Sequence, residues 1–184
     1  WLNSRNYKED NDISNIILKS VPMEWEKYDA VLCEPVPLGT KLSKLLKKGF
    51  FNYMKNPKIL FNRKRYSINL HFDLFHGYNL LNRATDLLDE TEKENFRYYI
   101  NTECSFYPLQ IFITKKKFLD LLYEKTFNWI FKCEKNFSNM ELKGYGKERL
   151  YDFLAERYFS YFFEKNLKIK TWPFILLEEK INEI

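Results

Sequence analysis

The chain reads as a mixed α/β domain, and three observations predict it. Two short apolar runs carry the composition of strands, several longer stretches repeat apolar residues at helical spacing, and the two kinds alternate along the sequence. The domain is assigned to residues 28–175, with residues 1–27 as a polar linker and 176–184 as an acidic tail. Its C-terminal half is the richer in helix. At 184 residues and 45% apolar content the chain can bury a real core.

Residues 1–27 include the acidic run Lys8-Glu-Asp-Asn-Asp12 and Pro22, which breaks any helix. Ala30 to Cys33 is a short buried strand that stops where Pro35 and Pro37 deny the ladder its donors. The leucine and phenylalanine spacing from Thr40 to Lys55 predicts an amphipathic helix with Lys41, Lys44, Lys47 and Lys48 on its basic face. Asn56 to Arg65 is basic and turn-like. The histidines, His71 and His76, precede a helix running through Leu87, and Thr91-Glu-Lys-Glu94 has capping-box spacing for a helix to about Ile100. Tyr107 to Ile113 predicts a second strand, with Thr114 capping a helix from Lys115 to Lys135. A further helix spans Lys143 to Lys165, and Leu167-Lys-Ile-Lys-Thr171 alternates as an edge strand does. The sequence has no internal repeat.

The net charge of +5 comes from 30 basic and 25 acidic residues dispersed along the chain, a bias towards anionic ligands without the clustered basic face of a nucleic-acid binder. Cys33, Cys104 and Cys133 form no Cys-x-x-Cys pair and are odd in number, which fits a reducing cytoplasm better than a disulfide framework. No apolar run reaches the roughly 18 residues of a membrane span. Trp1, not Met, opens the chain, and residues 1–27 are read as the remnant of a longer protein.

The helix through residues 144–163 carries the clearest chemical lead. At 100° per residue, Arg149, Asp152, Glu156 and Ser160 share roughly one quarter of the circumference, and aromatic or aliphatic residues fill most of the rest. These charges face either solvent or a polar cavity, because burying them unpaired costs several kcal/mol each. Asp152 and Glu156 are the candidate general bases, and Arg149 the candidate partner of a phosphate; the alternative for Arg149 is an intrahelical pair with Asp152 or Glu156, of which Asp152 has the i,i+3 spacing. His76, followed by Gly77, is either a donor to a substrate hydroxyl or a helix cap. Gln110 has an amide that donates and accepts, the chemistry that reads sugar hydroxyls, and its alternative is a bonded core glutamine. His71 and His76 suit neither zinc spacing, and the sequence contains no glycine-rich phosphate loop. Asp10-Asn-Asp12 is formally an Asp-x-Asp, a pairing that holds magnesium or manganese, but it follows no strand.

Three segments, His76-Gly-Tyr-Asn-Leu-Leu, Tyr107-Pro-Leu-Gln-Ile-Phe-Ile-Thr-Lys-Lys-Lys-Phe118 and Tyr145-Gly-Lys-Glu-Arg-Leu-Tyr-Asp-Phe-Leu-Ala-Glu-Arg157, resemble in order and spacing the bacterial glycosyltransferases of capsular and exopolysaccharide biosynthesis. Leu154-Ala-Glu-Arg157 is the most specific run. Gln110 stands where that family carries Asn, and the family's N-terminal nucleotide-binding half has no counterpart here. The resemblance implies a GT-A-like mixed sheet flanked by helices, with an incomplete donor site. It also implies a nucleotide-sugar donor, a glycan acceptor and peripheral association with the cytoplasmic face of a membrane, and no nucleic acid. A divalent magnesium or manganese ion is compatible with it, and no metal ligand is assigned. The implied roles are catalytic for Asp152 and Glu156, and substrate-binding for His76, Gln110, Arg149 and Arg157. The alternative is an inactive binding or interaction module of the same fold.

Overall fold

The computed structural model describes residues 19–39, 66–141, 143–144 and 148–174. The expected Thr40–Lys55 helix, the basic turn after it, Asp10-Asn-Asp12 and the acidic tail lie outside them.

The strand expected at Ala30–Cys33 (β1) forms there and is buried along its whole length, which is why its run is apolar without alternation. It is the middle of a three-stranded mixed sheet. Phe112–Thr114 (β4) pairs with it antiparallel, Val31 opposite Ile113, and Ile169–Trp172 (β5) pairs with it in parallel, Val31 opposite Lys170. The expected edge strand is therefore at an edge, one or two residues later than its alternation began. Val36–Pro37 (β2) and Ser105–Phe106 (β3) form a separate antiparallel pair.

The helices are Ile68–Phe75 (α1), Leu80–Thr85 (α2), Glu90–Thr102 (α3), Lys116–Phe137 (α4) and Leu150–Asn166 (α5). Two begin close to the sequence cue, one two residues before it and one a residue after it. The cap position of α3 is Asp89, ahead of the Thr91 box, and that of α4 is Lys115, one residue after Thr114. The stretch holding the histidines is two helices, not one. The chain leaves α1 through Gly77 at φ +132°, where a Cβ would stand 2.6 Å from Leu80 Cδ1, and Asn79 at φ 60° donates its N–H to Asp73 Oδ1 at 2.8 Å. His71 consequently lies inside α1, and His76 closes that helix instead of entering one. Of the helix expected from Lys143, α5 covers Leu150 onwards, and residues 145–147 lie outside the described ones.

α5 is the centre of the molecule. Phe159 and Phe163 meet Phe112 of the sheet at 6.0 and 5.0 Å between ring centroids, so one face of the helix closes the strand layer. Tyr158 and Tyr161 meet the fully buried Phe96 of α3 at 5.8 and 5.1 Å, edge to face. Trp129 of α4 completes this cluster, 5.7 Å from Phe96, and its indole N–H donates to Ala84 O at 2.7 Å. The aromatic excess of the sequence is thus the mortar between a small mixed sheet and three helices.

Candidate functional site

The polar stripe of α5 faces solvent at Arg149 and Asp152 and is covered from Glu156 to Ser160. It is the seat of a strained turn. Between β3 and β4 the chain passes through Tyr107 and the turn Pro108–Gln110, where Leu109 (φ 66°) and Gln110 (φ 52°) are successive left-handed residues, neither of them glycine. Each such conformation costs about 1–3 kcal/mol and persists only where its surroundings enforce it. Glu156 Oε1 accepts the Leu109 N–H at 2.8 Å, Ser160 Oγ accepts the Tyr107 N–H at 3.1 Å, and the Cys33 thiol donates to Pro108 O at 3.2 Å. Ser160 in turn donates back to Glu156 O within the helix.

This turn overturns the expected strand from Tyr107 to Ile113, which is reduced to Phe112–Thr114. Proline at 108 supplies no donor, and two left-handed residues reverse the pleat. Gln110 is therefore presented on an exposed turn instead of a strand.

The other expected site residues divide by burial. Arg149 Nε and Asp152 Oδ2 form an exposed pair at 3.0 Å, and Arg149 also lies over the ring of Phe153 at 5.3 Å. On the opposite side of function stands Arg157, which is 1% exposed. Its guanidinium lies 3.6 Å over the ring of Phe106 and its Nη1 is paired with Glu156 Oε2, while its Nε is buried with no hydrogen-bond partner. Burial holds its pKa below the ordinary value, against the support of Glu156. Arg157, expected to bind substrate, is thus buried in this structure, because α5 turns it inward beside Ser160. His76 is buried as well, its ring 3.9 Å from that of Phe153 and 4.9 Å from that of Phe72. The structure brings Gln110, Glu156 and Arg157 together through the turn; Asp152 lies one turn of the helix before Glu156 and Arg149 about two, both at the surface.

Among the described residues no group of three or more His, Cys, Asp or Glu side chains is placed to hold a metal ion. A hollow of about 110 Å³ walled by Trp25, Cys33 and Trp172 is almost wholly apolar. Burial pushes the Cys33 thiol up to about 11 and the Cys133 thiol up to about 12, so neither is a nucleophile at neutral pH.

A second polar place was not anticipated from sequence. Between the C-terminal half of α3 and the end of α5 opens a cleft of about 230 Å³, walled by Tyr98, Tyr99, Tyr161, Glu103, Glu164 and Lys165. Desolvation, and then the charge of Glu103, raises the pKa of Glu164 to about 7, against a hydrogen bond with Tyr107 that lowers it. Glu164 as a whole residue is exposed. Its signal was hidden because Glu164 directly follows the aromatic run Tyr161-Phe-Phe163 and belongs to no motif. No helix of the described residues is long and apolar enough to cross a membrane.

No family model, curated protein or solved structure matches the chain.

The Glu164 carboxyl makes stability depend on pH with a definite sign. The folded protein keeps this proton to about pH 7, whereas the unfolded chain loses it near the ordinary value of 4.5. Between those limits the folded state binds more protons, so stability falls as pH rises through them. Glu164→Gln is expected to flatten that slope and raise Tm above pH 7. Thermal melts at steps of pH check it, and an unchanged slope would place the carboxyl fully in water.

Proposed function

We propose that this chain is the acceptor-side part of a nucleotide-sugar-dependent glycosyltransferase of GT-A-like fold. Its acceptor is a capsular or exopolysaccharide glycan at the cytoplasmic face of a membrane. The sequence resemblance supports this reading, and so does the mixed sheet with α5 packed on it. The observation that carries it is the strained Leu109–Gln110 turn, clamped by Glu156 and Ser160 so that a side-chain amide is displayed at the surface. Strain of this kind is held where a ligand is to be met, and an amide that donates and accepts matches vicinal sugar hydroxyls.

In this mechanism Gln110 orients the acceptor. Asp152 takes the proton of its hydroxyl as the oxygen attacks the anomeric carbon, and the bond to the nucleoside diphosphate breaks with its electron pair leaving on the phosphate oxygen. Arg149, beside Asp152, neutralises that charge. Glu156 and Arg157, first expected to act on substrate, are positioning residues that hold the turn. The nucleotide sugar and glycan are the partners, nucleic acid is not one, and no step is assigned to a metal.

One observation favours the alternative of an interaction module. Tyr123, Phe127 and Phe131 form an exposed aromatic ladder on α4, with ring centroids 5.8 and 6.1 Å apart. That reading expects a stable oligomer by sedimentation that Phe127→Ser dissociates. The transferase reading expects release of nucleoside diphosphate from at least one donor in a panel of UDP-, GDP- and dTDP-sugars. Asp152→Asn should lower kcat at least a hundredfold and leave Tm unchanged, and Gln110→Ala should raise KM for the acceptor about tenfold. Turnover of no donor, or full activity in Asp152→Asn, would refute it.

A further inference from the structure

The walls of the α3–α5 cleft carry two carboxylates, those of Glu103 and Glu164, against the single ammonium of Lys165. Glu103 and Glu164 approach closely enough for Glu103 to oppose the ionisation of Glu164. Lys165 lines the same cleft. Tyr99 is 7% exposed, and its hydroxyl is buried with no hydrogen-bond partner among the described residues. Tyr99 lines the same cleft as Glu103 and Glu164, whose charges act on its hydroxyl. Such a group costs about 1–3 kcal/mol when left unsatisfied. Around it stand the rings of Tyr98, Tyr99 and Tyr161, the last two 5.6 Å apart between centroids.

We propose that this cleft binds a primary-ammonium ligand, whose three N–H donors are received by the carboxylates of Glu103 and Glu164 and by the hydroxyl oxygen of Tyr99. An ammonium group has three donors and no acceptor, which matches an acceptor-rich wall. A cation between the two carboxylates removes their mutual repulsion, and the tyrosine faces attract it through their ring quadrupoles. A bare metal ion fits less well, because aromatic faces take the place of further oxygen ligands and the described residues offer no third ligating side chain. The volume of about 230 Å³ accommodates the charged head and a short stem.

The group that titrates is Glu164. It faces Glu103 and Tyr99 from α3 and Tyr107 from the turn, has Tyr161 and Lys165 beside it on α5, and has Arg157 beyond Tyr99. Ionised Glu164 is the form that receives the ammonium, so affinity rises with pH through the range in which this carboxyl loses its proton.

The test is calorimetric titration of the whole chain at pH 6 and pH 8 with putrescine and with glucosamine. Glucose and tetramethylammonium are the controls, lacking respectively the charge and the N–H donors. Saturable binding of at least one amine is expected, about tenfold tighter than either control and tighter at pH 8 than at pH 6. Preference for putrescine identifies a free alkylamine, and preference for glucosamine an amine carried on a sugar ring. Tyr99→Phe, which keeps the ring, and Glu103→Gln, at an exposed position, should each weaken binding several-fold, and Glu164→Gln about tenfold. Binding of neither amine, equal binding of glucose or tetramethylammonium, or wild-type affinity in Tyr99→Phe and Glu164→Gln would overturn the proposal. The outcome is independent of whether the chain turns over a nucleotide sugar.

Discussion

Arg157 is buried almost completely in the middle of α5, stacked on Phe106, and the carboxylate that balances it is that of Glu156, next to it in the chain. Removing one partner of a pair buried this way costs about 3–5 kcal/mol, because the other charge is left without compensation. The Glu156 side chain retains 14% exposure against 2% for Arg157, so the acid stands at the boundary between core and surface. From there its second oxygen reaches out to the Leu109 N–H. A charge the core must neutralise is thereby coupled to a turn the surface must hold. The strain of two left-handed residues is met from the same interaction that keeps Arg157 folded inward.

This coupling accounts for the order of the layers. β3 delivers Phe106 under Arg157, the turn pivots on Glu156 and Ser160, and β4 then enters the sheet with Phe112 against Phe159 and Phe163. Tyr107 lies at the branch point. Its backbone is held by Ser160, and its side chain bonds to Glu164 at the mouth of the α3–α5 cleft. The displayed Gln110 and the acceptor-lined cleft are therefore two ends of one polar seam that runs along α5. Exposed Arg149 and Asp152 continue it towards the helix start.

Much of the fold was legible because burial writes itself into composition. Ala30–Cys33 is unbroken apolar and is the central strand, Leu167–Thr171 alternates and leads into an edge strand, and the long helices follow their 3.6-residue period. The failures have local causes. Tyr107 to Ile113 has strand composition, yet the left-handed pair at Leu109 and Gln110 depends on a carboxylate 47 residues away. His76 looked like a helix entrance because the sequence does not reveal that Gly77 must take a positive φ against Leu80. The stripe of α5 was found by periodicity, but which of its charges would be sealed was not. Arg157 lies just outside that stripe and is the most buried charge in the helix. Glu164 escaped notice because its significance is set by Glu103 and Tyr107, which belong to other elements.

The most direct test of the Glu156 joint is amide hydrogen exchange at Leu109, followed by NMR in the wild-type chain, Glu156→Gln and Asp152→Asn. If the carboxylate clamps the turn, Glu156→Gln loses protection at Leu109 by about tenfold or more and lowers Tm, because a neutral amide neither balances Arg157 nor accepts as strongly. Asp152→Asn, in the exposed pair one turn earlier, leaves both unchanged. Equal protection of Leu109 in all three proteins would contradict the coupling between the buried arginine and the displayed turn.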